Sequence, residues 1–404
     1  MINNRRHIMY VYKPVINTSN NKSVIRMFER DIEISQKKIV HLEIGNPLIR
    51  MPATYQAALV WSVLKKPYSR YQFSKGYLPL RRAWVDMYKD LGVDLDLPQV
   101  AVTNGGSEVL REIFYLLFNP GDGVIIPQPG YSNTIINMRR RGVEIVPVDT
   151  FFDQNFELTI QAIEQVINPK IRGIFLTTPG NNPTGHVIRE EVLDFVVTEA
   201  VKRKWAIIVD LAYLHLNYSQ WSKSIFQYPQ IRGQLFALDT LSKSMGLAGE
   251  RLGLFISFSQ EVMTAMEAPF EHRLSAGHHQ QIAATVALKH WFSITQKVRR
   301  EFQKRRNIMA WSLDRASDVI EYVLPEAGLY FTTRLRASAI EMARWLVRDY
   351  GGNSIPIISP GIGFYDNPTE EAKYLARLSF AGIKSKDIPH SIDVLINGLR
   401  EYPY

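Results

Sequence analysis

The sequence predicts an α/β protein, with a large domain on a mostly parallel sheet covered by helices on both faces and a smaller α/β domain behind it. Three observations predict this. From about residue 100, short β-branched or aromatic runs alternate with amphipathic helical stretches. After about residue 285 the texture changes to a long basic helical region followed by shorter segments. The segments richest in chemistry each follow directly on an apolar run. Continuous apolar strands joined by helices need cover on both faces, which a parallel sheet receives from its crossovers.

In chain order, residues 1–40 read as a polar N-terminal arm and a lead-in helix, the latter from Val24, Ile25, Phe28 and Ile32. Residues 41–285 read as the large domain, with 41–65 able to join the smaller one. Its strands are expected at Val124 to Ile126, Val143 to Val148, Ile174 to Leu176, Ala206 to Val209, Leu235 to Leu238 and Leu254 to Ile256. Between the third and fourth, Val192, Phe195, Val196 and Val201 mark an amphipathic helix. Residues 286–404 read as the small domain, opening on a helix from Ile294 to Asp314, with Trp291 and Phe292 on its core stripe.

Composition narrows the function classes. A chain of 404 residues, 46% hydrophobic and 22% charged, is of ordinary globular make-up. With no cysteine there is no disulfide, iron–sulfur cluster, thiolate zinc site or cysteine nucleophile. No apolar run is long enough to span a bilayer, and the start has no apolar signal core, so a cytoplasmic enzyme is expected. The net charge of +9 is dispersed. Its densest knots, Arg139-Arg140-Arg141 and Lys304-Arg305-Arg306, read as solvated helix surfaces, so no nucleic-acid partner is expected. His278-His279, with His272 and His290, has no carboxylate at ligand spacing and reads as a surface pair; no metal is expected.

Four segments carry chemistry. In Thr240 to Gly253, Lys243 stands among small and hydroxyl residues with Arg251 eight positions on. This suits a lysine that condenses with an aldehyde while Thr240, Ser242 and Arg251 offer donors to a phosphate; the plain alternative is a surface turn. In Ile207 to Tyr213, apolar residues run into Asp210, which is either a helix cap or a carboxylate held against a protonated ring nitrogen, with Tyr213 near a ring hydroxyl. In Thr177 to His186, Gly180 and Gly185 have P-loop spacing, but His186 and Val187 follow where Lys and Ser/Thr are needed. The segment is an ordinary turn or a rigid presenter of an amide. Asn104-Gly105-Gly106-Ser107 opens an apolar helical stripe at Leu110, Ile113, Phe114 and Leu117, and is either a packing device or an anion site. All four fall at strand carboxyl ends, where open α/β sheets bind ligands.

In this order and spacing the residues resemble the class I/II aminotransferases, the fold-type I enzymes that use pyridoxal 5′-phosphate (PLP). The resemblance runs from about His41 to Gly382. It rests on Ile44-Gly45-Asn46-Pro47, Tyr71 with Gly76 and Leu80-Arg81, Gly105-Gly106-Ser107, Pro129-Gly130-Tyr131, Asn182-Pro183-Thr184-Gly185, Asp210 to Tyr213, Ser242-Lys243 to Arg251, and Ala376 to Phe380. It implies a seven-stranded sheet and PLP held as an aldimine on Lys243. It implies that Asp210 faces the ring nitrogen, Asn182 and Tyr213 the ring oxygen, and Tyr131 the ring face. The phosphate would take Gly105, Gly106, Ser107, Thr240 or Ser242, Arg251, and Tyr71 from the other subunit of a homodimer. Arg377, helped by Gly45 and Asn182, would grip the carboxylate of an amino acid or a 2-oxo acid.

Three positions depart from the family pattern. Pro179-Gly180-Asn181 makes a longer lead into the Asn-Pro-Thr-Gly turn, Thr134 stands where relatives carry a second aromatic, and Leu48 follows Pro47 where they often carry Asp. These bear on the substrate, not on the catalytic groups. The function expected is amino-group transfer. The alternative is a lyase, cyclase, decarboxylase or oxidase using the same cofactor; a ligand-sensing regulator would need a DNA-binding module for which the residues before Ile44 are too few.

Overall fold

The computed structural model describes residues 37–66, 68–220 and 223–404. The expected lead-in helix and most of the expected arm lie outside the described residues.

Thirteen strands are described. β1 (Lys38–His41) comes first, and β2 (Val100–Thr103), β3 (Gly123–Gln128), β4 (Glu144–Asp149), β5 (Ile171–Thr177), β6 (Ala206–Asp210), β7 (Leu235–Thr240) and β8 (Gly253–Ser257) form one seven-stranded sheet. Its order is β2-β8-β7-β6-β5-β3-β4. All neighbours are parallel except β8, which runs against both β2 and β7.

Alternation along each strand explains the continuous apolar runs. Ile125, Ile174, Ile207, Val209 and Leu254 join the core on one face, and Val124, Ile126, Phe175, Ile208 and Phe255 the core on the other. Each such side chain, removed from water, contributes about 1.5–3 kcal/mol. The helix from Glu190 to Arg203 buries Val192, Leu193, Val196 and Val197 against this sheet's first face.

β9 (Ile320–Val323), β10 (Tyr330–Leu335), β12 (Ser359–Pro360) and β13 (Leu375–Ser379) form an antiparallel sheet in the order β12-β13-β10-β9. β11 (Ser354–Ile357) pairs instead with β1, in parallel. The long helix Trp291–Leu313 and the helices Ala339–Arg348 and Ile388–Glu401 share the core of this part.

The boundary expected near residue 41 needs correction, because Lys38–His41 is a strand of the smaller part and Val40 and Leu42 lie in its core. The chain then crosses over. Helix Ala53–Lys65 packs on helix His278–Leu288, and Tyr55 and Ala58 sit in the large part's core. The stretch 41–65 is thus divided between the two.

Two further expectations fail. Arg305 is not solvated: it is 4% exposed, and its guanidinium donates to Glu301 Oε1 at 2.8 Å, the Ala381 carbonyl at 2.8 Å and the Leu48 carbonyl at 2.9 Å. It ties helix Trp291–Leu313 to the crossover segment, a use of charge that a stripe count does not reveal. Phe292 is exposed, because the stripe that enters the core passes through Ile294, Val298 and Phe302. Among the described residues, no helix is long and apolar enough to cross a membrane.

Candidate active site

The carboxyl ends of β2, β3, β5, β6 and β7 share one edge of the large sheet, and the amino end of β8 joins them, with Gly253 opposite both Thr103 and Thr240. A cavity of about 170 Å³ opens on this edge. Gly106, Ser107, Tyr131, Asn182, Asp210, Tyr213, Thr240, Ser242, Lys243 and Arg251 all line it, so segments far apart in sequence converge as expected from strand ends.

At one end the chain forms an anion cradle. Gly105 precedes helix Gly106–Leu117 with φ +77° and no side-chain cap, leaving amides at the helix start directed outward. A Cβ at Gly105 would lie 2.4 Å from Arg251 Nη2, and one at Gly253 would lie 2.7 Å from the Gly105 carbonyl carbon. Glycine is required at 253 by this close approach to backbone, and at 105 by the positive φ. Arg251 itself has φ +55° and donates to the carbonyls of Ala248 at 2.9 Å and Asn104 at 3.2 Å. The Thr240 hydroxyl accepts from the Ser242 amide at 3.1 Å and donates to the Ser242 Oγ at 2.7 Å.

In the middle, Asp210 is 5% exposed at the end of β6. Its Oδ1 accepts from the Ala212 amide at 2.9 Å. Burial raises its carboxyl to about 6, against the opposing effects of that amide bond and of the Lys243 charge. A buried acid so placed invites a cationic partner. Burial also raises the phenols of Tyr213 and Tyr131. The Tyr131 hydroxyl accepts from Asn133 Nδ2 at 2.9 Å. Lys243, on the short helix Leu241–Ser244, donates to the Gly45 carbonyl at 2.6 Å.

Arg377 and Gly45 do not line the cavity but stand beside it. Arg377, on β13, is 3% exposed, and its Nη1 donates to Asn182 Oδ1 at 2.9 Å while Nη2 donates to the Glu43 carbonyl. Its guanidinium lies over the rings of Tyr330 at 4.3 Å and Phe364 at 4.9 Å, and its Nε is buried without a hydrogen-bond partner. An orphaned, buried guanidinium nitrogen fits a site made for an anion. Tyr71 lies elsewhere, 78% exposed and outside the cavity lining of its own chain.

Sequence reasoning missed Tyr330, Phe364 and Asp239. Tyr330 lines the cavity, and its ring meets Tyr213 edge-on at 6.2 Å. It lies on β10, where Thr332 pairs with Arg377, so Tyr330 and Arg377 are diagonal neighbours on one sheet face. Only the register of that pairing brings them together; the turn Pro325 to Gly328 before an apolar run was the sole local signal. Asp239, buried on β7 next to Thr240, accepts from the Thr240 amide at 2.6 Å and from Tyr88 at 3.0 Å. His278 and His279 are half-buried rather than free on the surface, bonded to Gln72 and Ser62 respectively.

The residues present fit PLP: a cradle with amides, hydroxyls and a guanidinium for a phosphate, a buried carboxylate for a ring cation, and an amine for an aldehyde. The comparisons agree. The family described as aminotransferase class I and II matches residues 37–395. Aspartate aminotransferase of Thermotoga maritima is 28% identical over 77% of this chain and 81% of its own, and glutamate–pyruvate aminotransferase of Escherichia coli is 26% identical over 81% and 80%. The solved T. maritima aspartate aminotransferase superposes with a TM-score of 0.84 at 25% identity, covering 94% of this chain and 97% of that one. A Thermus thermophilus aspartate aminotransferase shares the fold, with a TM-score of 0.85 at 21% identity over 97% and 100%. The chain belongs to the aminotransferase class I and II family and is a PLP-dependent aminotransferase.

Proposed function

We propose that the protein moves an amino group between an L-amino acid and a 2-oxo acid at the cavity on the sheet edge, with each residue in a definite role. One observation carries this assignment. The Lys243 amine and the Asp210 carboxylate line the same cavity as Asn182, whose amide oxygen is held by Arg377.

Gly105, Gly106, Ser107, Thr240, Ser242 and Arg251 would hold the PLP phosphate, Tyr131 would cover a ring face, and Asn182 and Tyr213 would face the ring oxygen. When bound, PLP supplies an electron sink for the pair left on the substrate's Cα after deprotonation. Asp210 keeps its carboxylate against the ring nitrogen and thereby holds a proton there; the cation in turn offsets the burial that raises Asp210. Lys243 Nζ would take the proton from the substrate's Cα and deliver it to the carbon of the cofactor's aldehyde, acting as base and then as acid. Arg377 orients the α-carboxylate through its planar fork, with Gly45 closing the near side. The Gly45 carbonyl that Lys243 occupies must release the amine for this.

The working unit is a homodimer in the cytoplasm, with Tyr71 reaching the partner's phosphate. The large domain comprises helix Ala53–Lys65 through helix His278–Leu288, and the small one the segment from β1 to the crossover together with helix Trp291–Leu313 onward.

The test is a donor screen. PLP-loaded protein is mixed with single amino acids and several 2-oxo acids, and the new amino acid is measured. At least one pair should exchange at stoichiometry. If no amino acid converts the bound cofactor to its amine form, the assignment fails. Repeated turnover with no oxo acid present would point instead to lyase, cyclase, decarboxylase or oxidase chemistry.

A further inference from the structure

The geometry points to Tyr330 as a positioning residue that joins the two halves of the site, its ring seating the Arg377 guanidinium and its hydroxyl turning to donate to Tyr213 when that phenol's own hydrogen goes to the cofactor.

Tyr330 is 3% exposed at the start of β10. Its ring lies 4.3 Å beneath the Arg377 guanidinium carbon, close enough for cation–π attraction, and fixes the plane in which the fork lies. Its hydroxyl accepts from that of Tyr213 at 3.4 Å, long for such a pair but within reach, with the rings at 84°. On its other side the hydroxyl abuts Gly45, where a Cβ would fall 1.8 Å from it. The hydroxyl is thus wedged between the Tyr213 phenol and the segment that accepts from Lys243.

Counting protons sets the direction. A phenol has one hydrogen to donate. As the two phenols stand, Tyr213 donates to Tyr330; if Tyr213 gives its hydrogen to the ring oxygen of PLP instead, as proposed above, the bond between the two tyrosines must reverse and run from Tyr330 to Tyr213. The charges around Tyr330 make it a ready donor for the reversed bond. Burial alone raises a phenol, but at Tyr330 the charges of Lys243 and Arg377 oppose it. The phenol of Tyr213 is raised, chiefly by burial. A donated bond from Tyr330 strengthens Tyr213 as a donor, and the ring oxygen then holds its negative charge with less need of the neighbouring imine proton.

This inference rests on the assignment of Tyr213 to the ring oxygen, and the experiment separates the two. The visible band of the PLP-loaded protein is titrated with pH, without substrate, in wild type, Tyr330→Phe, Tyr213→Phe and the double variant. Tyr330→Phe keeps the ring and should raise the midpoint by ~0.5–1 unit, the value of one hydrogen bond. Tyr213→Phe should raise it further, and the double variant should match Tyr213→Phe, since Tyr330 acts through Tyr213. Tyr330→Phe should leave KM for the amino acid within ~2-fold while lowering kcat, whereas Tyr330→Leu, which removes the platform, should raise KM ~10-fold. An unmoved midpoint in Tyr330→Phe, or shifts that add in the double variant, overturns the inference. A wild-type band that does not titrate, or a Tyr213→Phe midpoint equal to wild type, overturns the underlying assignment instead.

Discussion

The Lys243 amine and the Gly45 carbonyl, 198 positions apart, are joined by a 2.6 Å hydrogen bond across the boundary between the two parts of the chain. Gly45 follows β1, which pairs with β11 in the smaller part, and Lys243 follows β7 of the large sheet. The bond holds the Lys243 amine against the cavity that it lines. Replacing Lys243 with Ala should abolish transfer, and Lys243→Arg should do the same, because a guanidinium cannot be deprotonated to form an imine. Loss of at least ~10⁴-fold in kcat, with no imine absorption band in either variant, is the expected result. A coloured, active Ala variant would refute the role given to this lysine.

Gly45 itself admits no side chain. A Cβ there would overlap the Tyr330 hydroxyl and come within 2.7 Å of its ring, so the ring must tilt from under Arg377. Gly45→Ala should therefore fold, bind PLP and lose ~10–100-fold in kcat/KM through misplacement of the fork. Circular dichroism and cofactor titration unchanged from wild type, with the kinetic loss present, is the pattern to look for.

Arg377 has five N–H donors in one plane, of which one on Nη1 is given to Asn182 and one on Nη2 to the Glu43 carbonyl. An arriving carboxylate takes from those that remain, the orphaned Nε among them. Arg377→Lys keeps the charge but loses the fork, and KM for the amino acid should rise ~10²-fold with a smaller fall in kcat. Steady-state kinetics against one good donor decides it; a KM within ~3-fold of wild type would remove Arg377 from the substrate site.

The large sheet and its ligand edge were legible because the strands are buried on both faces and end in unusual residues. Asp210 after four apolar residues and Lys243 among hydroxyls are local signals. Tyr330 was not, because it meets Arg377 through an antiparallel register, Thr332 opposite Arg377, which no spacing encodes. Nor was the assignment of Lys38–His41 to the smaller part, since its partner Ser354–Ile357 lies more than 300 positions downstream. Arg305 misled for the opposite reason. Its neighbours Lys304 and Arg306 are also basic, and a basic triplet on a helix reads as surface until its guanidinium is seen capping two carbonyls.

Asp239 makes the cofactor-free protein sensitive to pH. Burial lifts its carboxyl to about 7, the amide of Thr240 and the Tyr88 hydroxyl opposing this and Asp210 adding to it. Because the folded-state value exceeds the unfolded one, the folded protein holds the extra proton between about pH 4 and 7, and stability falls as pH rises through that window. Above it the full penalty, on the order of a few kcal/mol, is present. Asp239→Asn removes it. Melting temperature of the PLP-free variant should exceed wild type at pH 8 by a few degrees, and the difference should vanish near pH 4.5. A gain that is the same at both pH values would show that the carboxyl's charge is not its source.

Tyr71 tests the dimer. At 78% exposed and away from its own chain's cavity, it does nothing for that site, yet it is proposed to bond the phosphate of the partner. Exposed Val60, Trp61, Leu64 and Phe73 surround it in sequence, an apolar surface that a second copy would cover. Tyr71→Ala should weaken PLP binding ~10-fold or more. Mixing Lys243→Ala with Tyr71→Ala subunits then discriminates sharply. In the hybrid, the subunit with an intact lysine receives an intact Tyr71 from its neighbour, so one native site forms of the two. Activity at limiting PLP should reappear on mixing and unfolding–refolding the two inactive proteins, and reach roughly a quarter of wild type when half the dimers are hybrids. If Tyr71 served its own chain, every hybrid site would carry one lesion, and no activity would return.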